Sequence, residues 1–317
     1  MIPSILSMRS IRAAAAVAAL SLLVSACVQA PTQADPATDL STAPHPTVAC
    51  PAPVVTQSLN GGPVRITFAQ PQASGGVLPL SFSCSPASGA TFPIGTTAVA
   101  CTVTDALMES VNCGFTVRVF GPPRLSATNF LAFGDSITLG QVFDTYPGHL
   151  QAQLRERYQT QNPGVANAGV DGERASPTGQ GRLPGELSAT RAQALLLMEG
   201  SNDLNGGVAG QNRAIEALTE MIRLSKGRGI VVFLATIPPQ RPGAARSFTQ
   251  PQVAGFNDSV RALAQREAVT LVDIYAAMIG DLSLIGPDDL HPNARGHAVM
   301  AQTFFTAIQR VLELPPE

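Results

Sequence analysis

Ser136 closes the tripeptide Gly134-Asp135-Ser136 directly after the apolar run from Phe130 to Phe133, and His291 stands far later, three residues behind Asp288. A serine hydroxyl becomes a nucleophile when a base takes its proton, and an imidazole does this near neutral pH when a carboxylate holds it in the right tautomer. The negative oxygen that forms on an attacked carbonyl then needs donors aimed at it. Ser136 N–H, Gly169 N–H and the side-chain amide of Asn202 are candidates for that task, beside Ser136 as nucleophile, His291 as base and Asp288 as its orienter. The chemistry such a set could perform is acyl transfer from an ester to water through an acyl-enzyme.

Those residues act together only if one scaffold brings them to one edge. The run 130–133 has strand length, and the Gly-Asp-Ser that follows forces a sharp turn, so the serine leaves the carboxyl end of a buried strand. Helices are expected over 146–158, 213–224, 253–264 and 293–312, and buried strands over 165–168, 194–198, 229–235 and 269–274. Strands without alternation, interleaved with amphipathic helices, indicate a parallel sheet covered on both faces, with ligands at its carboxyl edge. The loops at Asn167 to Gly172, Glu199 to Asp203 and Asp288 to Asn293 follow such strands and should converge there.

Four blocks, Gly134-Asp135-Ser136, Asn167 with Gly169 and Gly172, Gly200 with Asn202-Asp203, and Asp288 with His291, resemble the SGNH (GDSL) hydrolase family, in the family's order from about residue 129 onward. The resemblance implies a flavodoxin-like three-layer α/β/α fold and metal-free serine esterase chemistry, with Ser136, His291 and Asp288 as the triad and Ser136, Gly169 and Asn202 as oxyanion donors. No cofactor is expected, since neither a Cys/His cluster nor a glycine-rich phosphate loop appears. Each residue has a rival reading. Asp289 could serve in place of Asp288, and Asn202 could cap a helix. His45 and His149 read as solvated, His297 as structural, and the Pro- and Gln-rich segment 238–252 reads as substrate rim or as surface loop.

The chain ahead of this region is of a different kind. Arg9 and Arg12 precede an apolar run from Ala13 to Val24, too short to span a membrane in the mature protein, so residues 1–26 read as a signal peptide. Val24-Ser25-Ala26-Cys27 resembles a bacterial lipobox, which makes Cys27 the expected lipidation site and an outer-membrane envelope location the expected one in a Gram-negative cell. Residues 27–47 read as a flexible tether rich in Pro, Ala, Thr and Gln, its ends roughly 25 Å apart. Residues 48–121 alternate with period two, Val64, Ile66 and Phe68, then Val99, Cys101 and Val103, then Cys113, Phe115, Val117 and Val119, which is the pattern of a small β-sandwich. Its four cysteines, Cys50, Cys84, Cys101 and Cys113, form an even set for which two disulfides in any of three connectivities are open. Stretches such as Cys84-Ser85-Pro86-Ala87-Ser88-Gly89 and Phe92-Pro93-Ile94-Gly95-Thr96-Thr97 resemble a hyalin repeat, an immunoglobulin-like module.

With 20 basic against 22 acidic residues and a net charge of -2, no basic stripe recommends a nucleic-acid partner. The expected partner is a small-molecule, lipid or glycan ester, and the expected function is a membrane-anchored serine esterase acting on short acyl or acetyl esters through the 125–317 domain. A lysophospholipase or thioesterase, and an adhesin whose hydrolase domain is inert, are the alternatives.

Overall fold

The computed structural model describes residues 44–140, 144–242 and 249–316. The leader, Cys27, the tether as far as residue 43 and the middle of the 238–252 segment lie outside the described residues. No helix among them is long and apolar enough to cross a membrane.

The first part is built from short strands: β1 (Thr47–Ala49), β2 (Val54–Gln57), β3 (Val64–Arg65), β4 (Gln72–Ser74), β5 (Ser81–Ser85), β6 (Thr91–Phe92), β7 (Gly95–Thr104) and β8 (Ser110–Phe120). They form a four-stranded sheet in the order β2-β8-β7-β5 and two short antiparallel ladders, β1 with β4 and β3 with β6. Alternation in the sequence appears directly as alternating burial. Val99 and Cys101 of β7 and Phe115, Val117 and Val119 of β8 point into one core, where Ile66 and Phe92 meet them from the other layer. Disulfides join Cys50 to Cys113 and Cys84 to Cys101. Cys101 lies in register with Cys84 on one side and Cys113 on the other, so pairing with either neighbour is within reach, and the structure takes the first.

The second part alternates strand and helix: β9 (Asn129–Gly134), α1 (Ser136–Leu139), α2 (Tyr146–Arg157), β10 (Gly164–Gly169), α3 (Gln180–Thr190), β11 (Ala194–Met198), α4 (Gly207–Gly227), β12 (Val231–Ala235), α5 (Gln250–Arg266), β13 (Thr270–Val272), α6 (Ile274–Met278) and α7 (Ala294–Leu312). The five strands are parallel in the order β10-β9-β11-β12-β13, the 2-1-3-4-5 arrangement of flavodoxin-like sheets. Helix α2 packs on α7, while α3, α4 and α5 pack in sequence on one another. Right-handed crossovers put these two groups on opposite faces, because the chain leaves β9 in one direction and returns across it in the other. Strand β11 is buried along its whole length, and β9 from Phe130 to Gly134, as the continuous apolar runs require.

Several elements differ from the sequence reading, among them β10, which at the sheet edge is only partly buried, and α6, which has no counterpart there. The strand expected over 269–274 stops at Val272, because Asp273 turns outward and caps α6 with its side chain on Ala276 N–H. Helix α3 has no counterpart in the sequence reading: Gly181, Pro184 and Gly185 mask a pattern whose buried positions are Leu183 and Leu187.

Candidate active site

Strand β9 delivers Ser136. Asp135 takes extended dihedrals and caps α1, its Oδ1 accepting from Ile137 N–H at 2.9 Å, so Ser136 is the first helical residue and its hydroxyl sits at the strand's carboxyl edge. The turn is tight enough to need glycine before it. A Cβ on Gly134 would lie 2.2 Å from Thr138 Oγ1 and 2.3 Å from Met198 O.

His291 and Asp288 come from the loop between a single turn at Leu282–Leu284 and α7. Gly286 N–H donates to His291 O at 2.7 Å and Asn293 N–H to Leu284 O at 2.9 Å, which closes the loop on itself. Inside it, the amides of His291 and Leu290 donate to Asp288 Oδ1 at 3.0 and 3.2 Å, and His291 Nδ1 meets Asp288 Oδ2. Burial pushes the Asp288 carboxyl up, but these bonds outweigh it and hold the group below its ordinary range. A carboxylate accepts only, so the proton stands on Nδ1 and the Nε2 lone pair is left facing outward. Ser136 Oγ lies 2.8 Å from that Nε2. The three groups therefore form one hydrogen-bonded chain from carboxylate to hydroxyl, able to move a proton off Ser136.

Asp289 is engaged elsewhere. Its backbone is left-handed (φ 66°), and its Oδ1 lies 2.6 Å from Arg241 Nε. Arg241 also donates its own N–H to Asp289 O at 3.0 Å and its guanidinium to Gly286 O. That places the described start of the 238–252 segment against the catalytic loop.

The oxyanion candidates stand less simply. Gly169 is the last residue of β10, and its N–H is taken by Asn167 Oδ1 at 3.0 Å, while a Cβ there would lie 2.0 Å from Leu139 N. Its amide is thus spent on the strand end, and its missing side chain is what lets α1 pack on β10; the sequence could not show this, because the competing acceptor is two residues away on the same chain. Gly172, in the following turn (φ 69°), has open space around its Cα and no partner for its N–H among the described residues, and Asp171 beside it lines the cavity that Ser136 opens into. Asn202 does not cap a helix. Its amide, 9% exposed, donates to Glu173 O at 2.8 Å and, more weakly, to Asp135 Oδ2 at 3.3 Å.

Sequence reasoning picked out Asp135 and Asp203 only as parts of the motif loops and missed that they lie buried beneath this edge together with Glu173 and Glu199. Asp135, Glu173, Glu199 and Asp203 are all under 9% exposed. Burial pushes Asp135 up to about 7, and burial first, then the fields of Asp135 and Glu173, drive Glu199 well above the ordinary carboxyl range. Neither Glu199 oxygen has a hydrogen-bond partner among the described residues. Arg182 of α3 reaches Glu173 with Nε at 3.1 Å, donates to Ala168 O at 2.9 Å and stacks 4.1 Å over the Phe133 ring. The available signal was an acidic residue ending each of two apolar strands, Asp135 after β9 and Glu199 after β11.

Of the remaining histidines, His45 pairs with Glu109 at 2.8 Å on the surface, His149 with Asp144 at 2.5 Å, and His297 is buried beside the site. Among the described residues no group of three or more His, Cys, Asp or Glu side chains is arranged to hold a metal ion.

Residues 132–299 match the GDSL-like lipase/acylhydrolase family model, and residues 42–119 match the HYR domain. No curated protein matches the chain. Among solved structures, the lipase/acylhydrolase from Enterococcus faecalis is 22% identical with a TM-score of 0.51, covering 59% of this chain and 97% of that one. LAE5, an alpha/beta hydrolase enzyme from the metagenome of Lake Arreo, is 20% identical with a TM-score of 0.50, over 58% and 96% of the two chains. At such identities the likeness is one of fold.

Proposed function

The chain belongs to the GDSL-like lipase/acylhydrolase family, and from that premise we propose that it is a serine esterase hydrolysing short acyl or acetyl carboxylic esters. The observation that carries the reading is the contact of Ser136 Oγ with His291 Nε2 at 2.8 Å, with Asp288 on the far side of the ring. His291 takes the Ser136 proton as the hydroxyl attacks the ester carbonyl. The tetrahedral oxyanion is held by Ser136 N–H and by Asn202, whose long bond to Asp135 is the one it can exchange for substrate. The Gly172 N–H, without a partner among the described residues, takes the third position in place of the Gly169 amide expected from the sequence. His291 then returns the proton to the leaving alcohol, and water, activated by the same imidazole, releases the acid.

In this reading Cys27 carries the lipid that holds the protein at a bacterial membrane, and the HYR domain is a spacer. Membrane fractions of cells making Cys27→Ala should lose the protein to the soluble fraction.

Purified protein assayed on p-nitrophenyl esters of increasing chain length tests the reaction. Turnover should be highest on acetate or butyrate and absent in Ser136→Ala, and Asn202→Ala should lose on the order of 10²- to 10³-fold in kcat. Turnover undiminished in Ser136→Ala would remove the proposal.

A further inference from the structure

Arg182 of α3 reaches back over the loop that joins β10 to α3, and its guanidinium holds both ends of that loop. At the near end Nη2 donates to Ala168 O at 2.9 Å; at the far end Nε donates to Glu173 Oε1 at 3.1 Å and Nη2 meets Glu173 Oε2. Nη1 turns to Glu186 Oε1, 3.2 Å away and one turn further along the same helix. The same flat group lies 4.1 Å over the ring of Phe133, in the strand that ends on Gly134 just ahead of Asp135 and Ser136. Arg182 is not among the residues that line the cavity into which Ser136 opens, so whatever it does for the reaction it does through other groups.

Between the clamped ends stand Gly169, Val170, Asp171 and Gly172, and the loop is tied to the site at several points. Val170 N–H donates to Gly134 O at 3.0 Å, which hangs the loop on the nucleophile's own strand. Gly172, whose N–H is free among the described residues, directly precedes Glu173, so the clamped carboxylate fixes the residue next to it. Glu173 O in turn accepts from Asn202 Nδ2 at 2.8 Å. An amide nitrogen carries its two hydrogens in one plane, so fixing one of them on Glu173 O also fixes the direction of the other, which points loosely at Asp135 Oδ2, 3.3 Å away, and is the one available to an oxyanion. A guanidinium suits the clamping task because its donors form a rigid fork that can serve acceptors from separate segments at once, whereas an ammonium is a point charge on a flexible stem. Glu173 is buried, so the pair is not of the exposed kind that water and side-chain motion reduce to little.

We propose that Arg182, acting through Glu173, is the positioning residue of the oxyanion hole: one guanidinium sets where both the Gly172 N–H and the free N–H of Asn202 point. This deepens the serine-esterase reading and rests on it. Donors aimed at the developing oxyanion act on the transition state more than on the bound ester, so loosening them lowers kcat and leaves KM nearly unchanged.

Arg182→Ala strands the buried Glu173 carboxylate and risks the fold, so Arg182→Lys is the working variant: it keeps a cation beside Glu173 and loses the fork. On p-nitrophenyl acetate, Arg182→Lys should lose about tenfold in kcat with KM within about twofold of wild type, and its melting temperature should stay within a few degrees. Placed in an Asn202→Ala background, the same change should cost at most about threefold, because one of the two donors it aims is already gone. A short alkyl trifluoromethyl ketone, which Ser136 converts to a tetrahedral adduct with a negative oxygen, reads the hole without turnover, and its inhibition constant should rise by about the factor that kcat falls. A kcat within twofold of wild type, a raised KM with kcat kept, an equal loss in both backgrounds or an unmoved inhibition constant would each overturn the proposal. So would a fall in melting temperature that accounts for the lost activity with kcat per folded molecule intact, which would make Arg182 a packing residue. Ser136→Ala in the same assay separates the two layers: full turnover there would sink the serine-esterase reading whatever Arg182 does.

Discussion

Asp135 carries two loads in one side chain: it caps the helix that presents Ser136, and it stands 3.3 Å from the amide of Asn202. Its burial raises its folded value to about 7, against an ordinary 3.8 in the unfolded chain. Between those limits the folded protein binds a proton at Asp135 that the unfolded chain has lost, so the contribution of this group to stability falls as pH rises from about 4 to about 7. Glu199 and Asp203, also raised, act in the same direction. Asp288 and Glu313, held below their ordinary values, act in the opposite direction only in acid, below about 4.5, whereas His297, driven by burial from 6.5 down to about 4, opposes Asp135 across most of this window but equally in wild type and in an Asp135 variant, so it cancels in their difference. Asparagine caps helices as well as aspartate does and has no charge to bury. Thermal unfolding between pH 5 and 8 should therefore show Asp135→Asn gaining on wild type as pH rises; parallel curves would mean that Asp135 is not protonated in the folded protein. The identity of Ser136, His291 and Asp288 as candidates was legible from residue types in order. The raised value of Asp135 was not, because it comes first from burial and then from the fields of Asp203 and Glu173, which other segments deliver.

At the scale of elements, one loop holds two members of the hydrogen-bonded chain, and that loop has a second support. Arg241, at the described start of the segment after β12, holds Asp289 Oδ1 at 2.6 Å and Gly286 O, and so fixes the loop from outside. The sequence left Asp289 as a rival to Asp288 and the 238–252 segment without a role; the structure gives one to the other. Arg241→Ala should lower kcat by on the order of 10- to 100-fold with little change in KM, because a displaced His291 loses reactive geometry before it loses substrate. The same variant should keep its melting temperature within a few degrees, since the pair is about a third exposed on the arginine side. A KM effect alone, with kcat intact, would put Arg241 in the substrate rim instead. Helices α2, α4, α5 and α7 were visible as apolar stripes, and their ends moved by a few residues; α3 was hidden by its glycines and proline, although its Arg182 stacks over Phe133 of β9 and pairs with Glu173.

Across the whole molecule, the two folded parts have separate cores, one centred on Phe92, Val99 and Val117 and the other on the five-stranded parallel sheet. The Cys50–Cys113 link spans 63 residues of the first part, a closure that stabilises by about 4 kcal/mol through loop entropy. A reductant should therefore lower the unfolding transition of the sandwich while Ser136-dependent ester hydrolysis continues. Calorimetry and turnover measured side by side with and without dithiothreitol check this; activity lost together with the sandwich transition would show that the two parts depend on one another.

Sequence by itself determined what repeats at short range. Period-two alternation marked the strands of the sandwich, continuous apolar runs marked the buried parallel strands, and the glycine, serine, aspartate and histidine blocks marked the loops that follow, since each of these signals is carried by neighbours along the chain. The tertiary structure decided how polar groups were spent: Gly169 N–H on Asn167, Asp289 on Arg241, Cys101 on Cys84 and not Cys113, and the Nδ1 of His297 on nothing among the described residues. A hydrogen bond or disulfide is a competition among all groups within about 3 Å, and which groups compete is set by strand register and crossover, which no local pattern records.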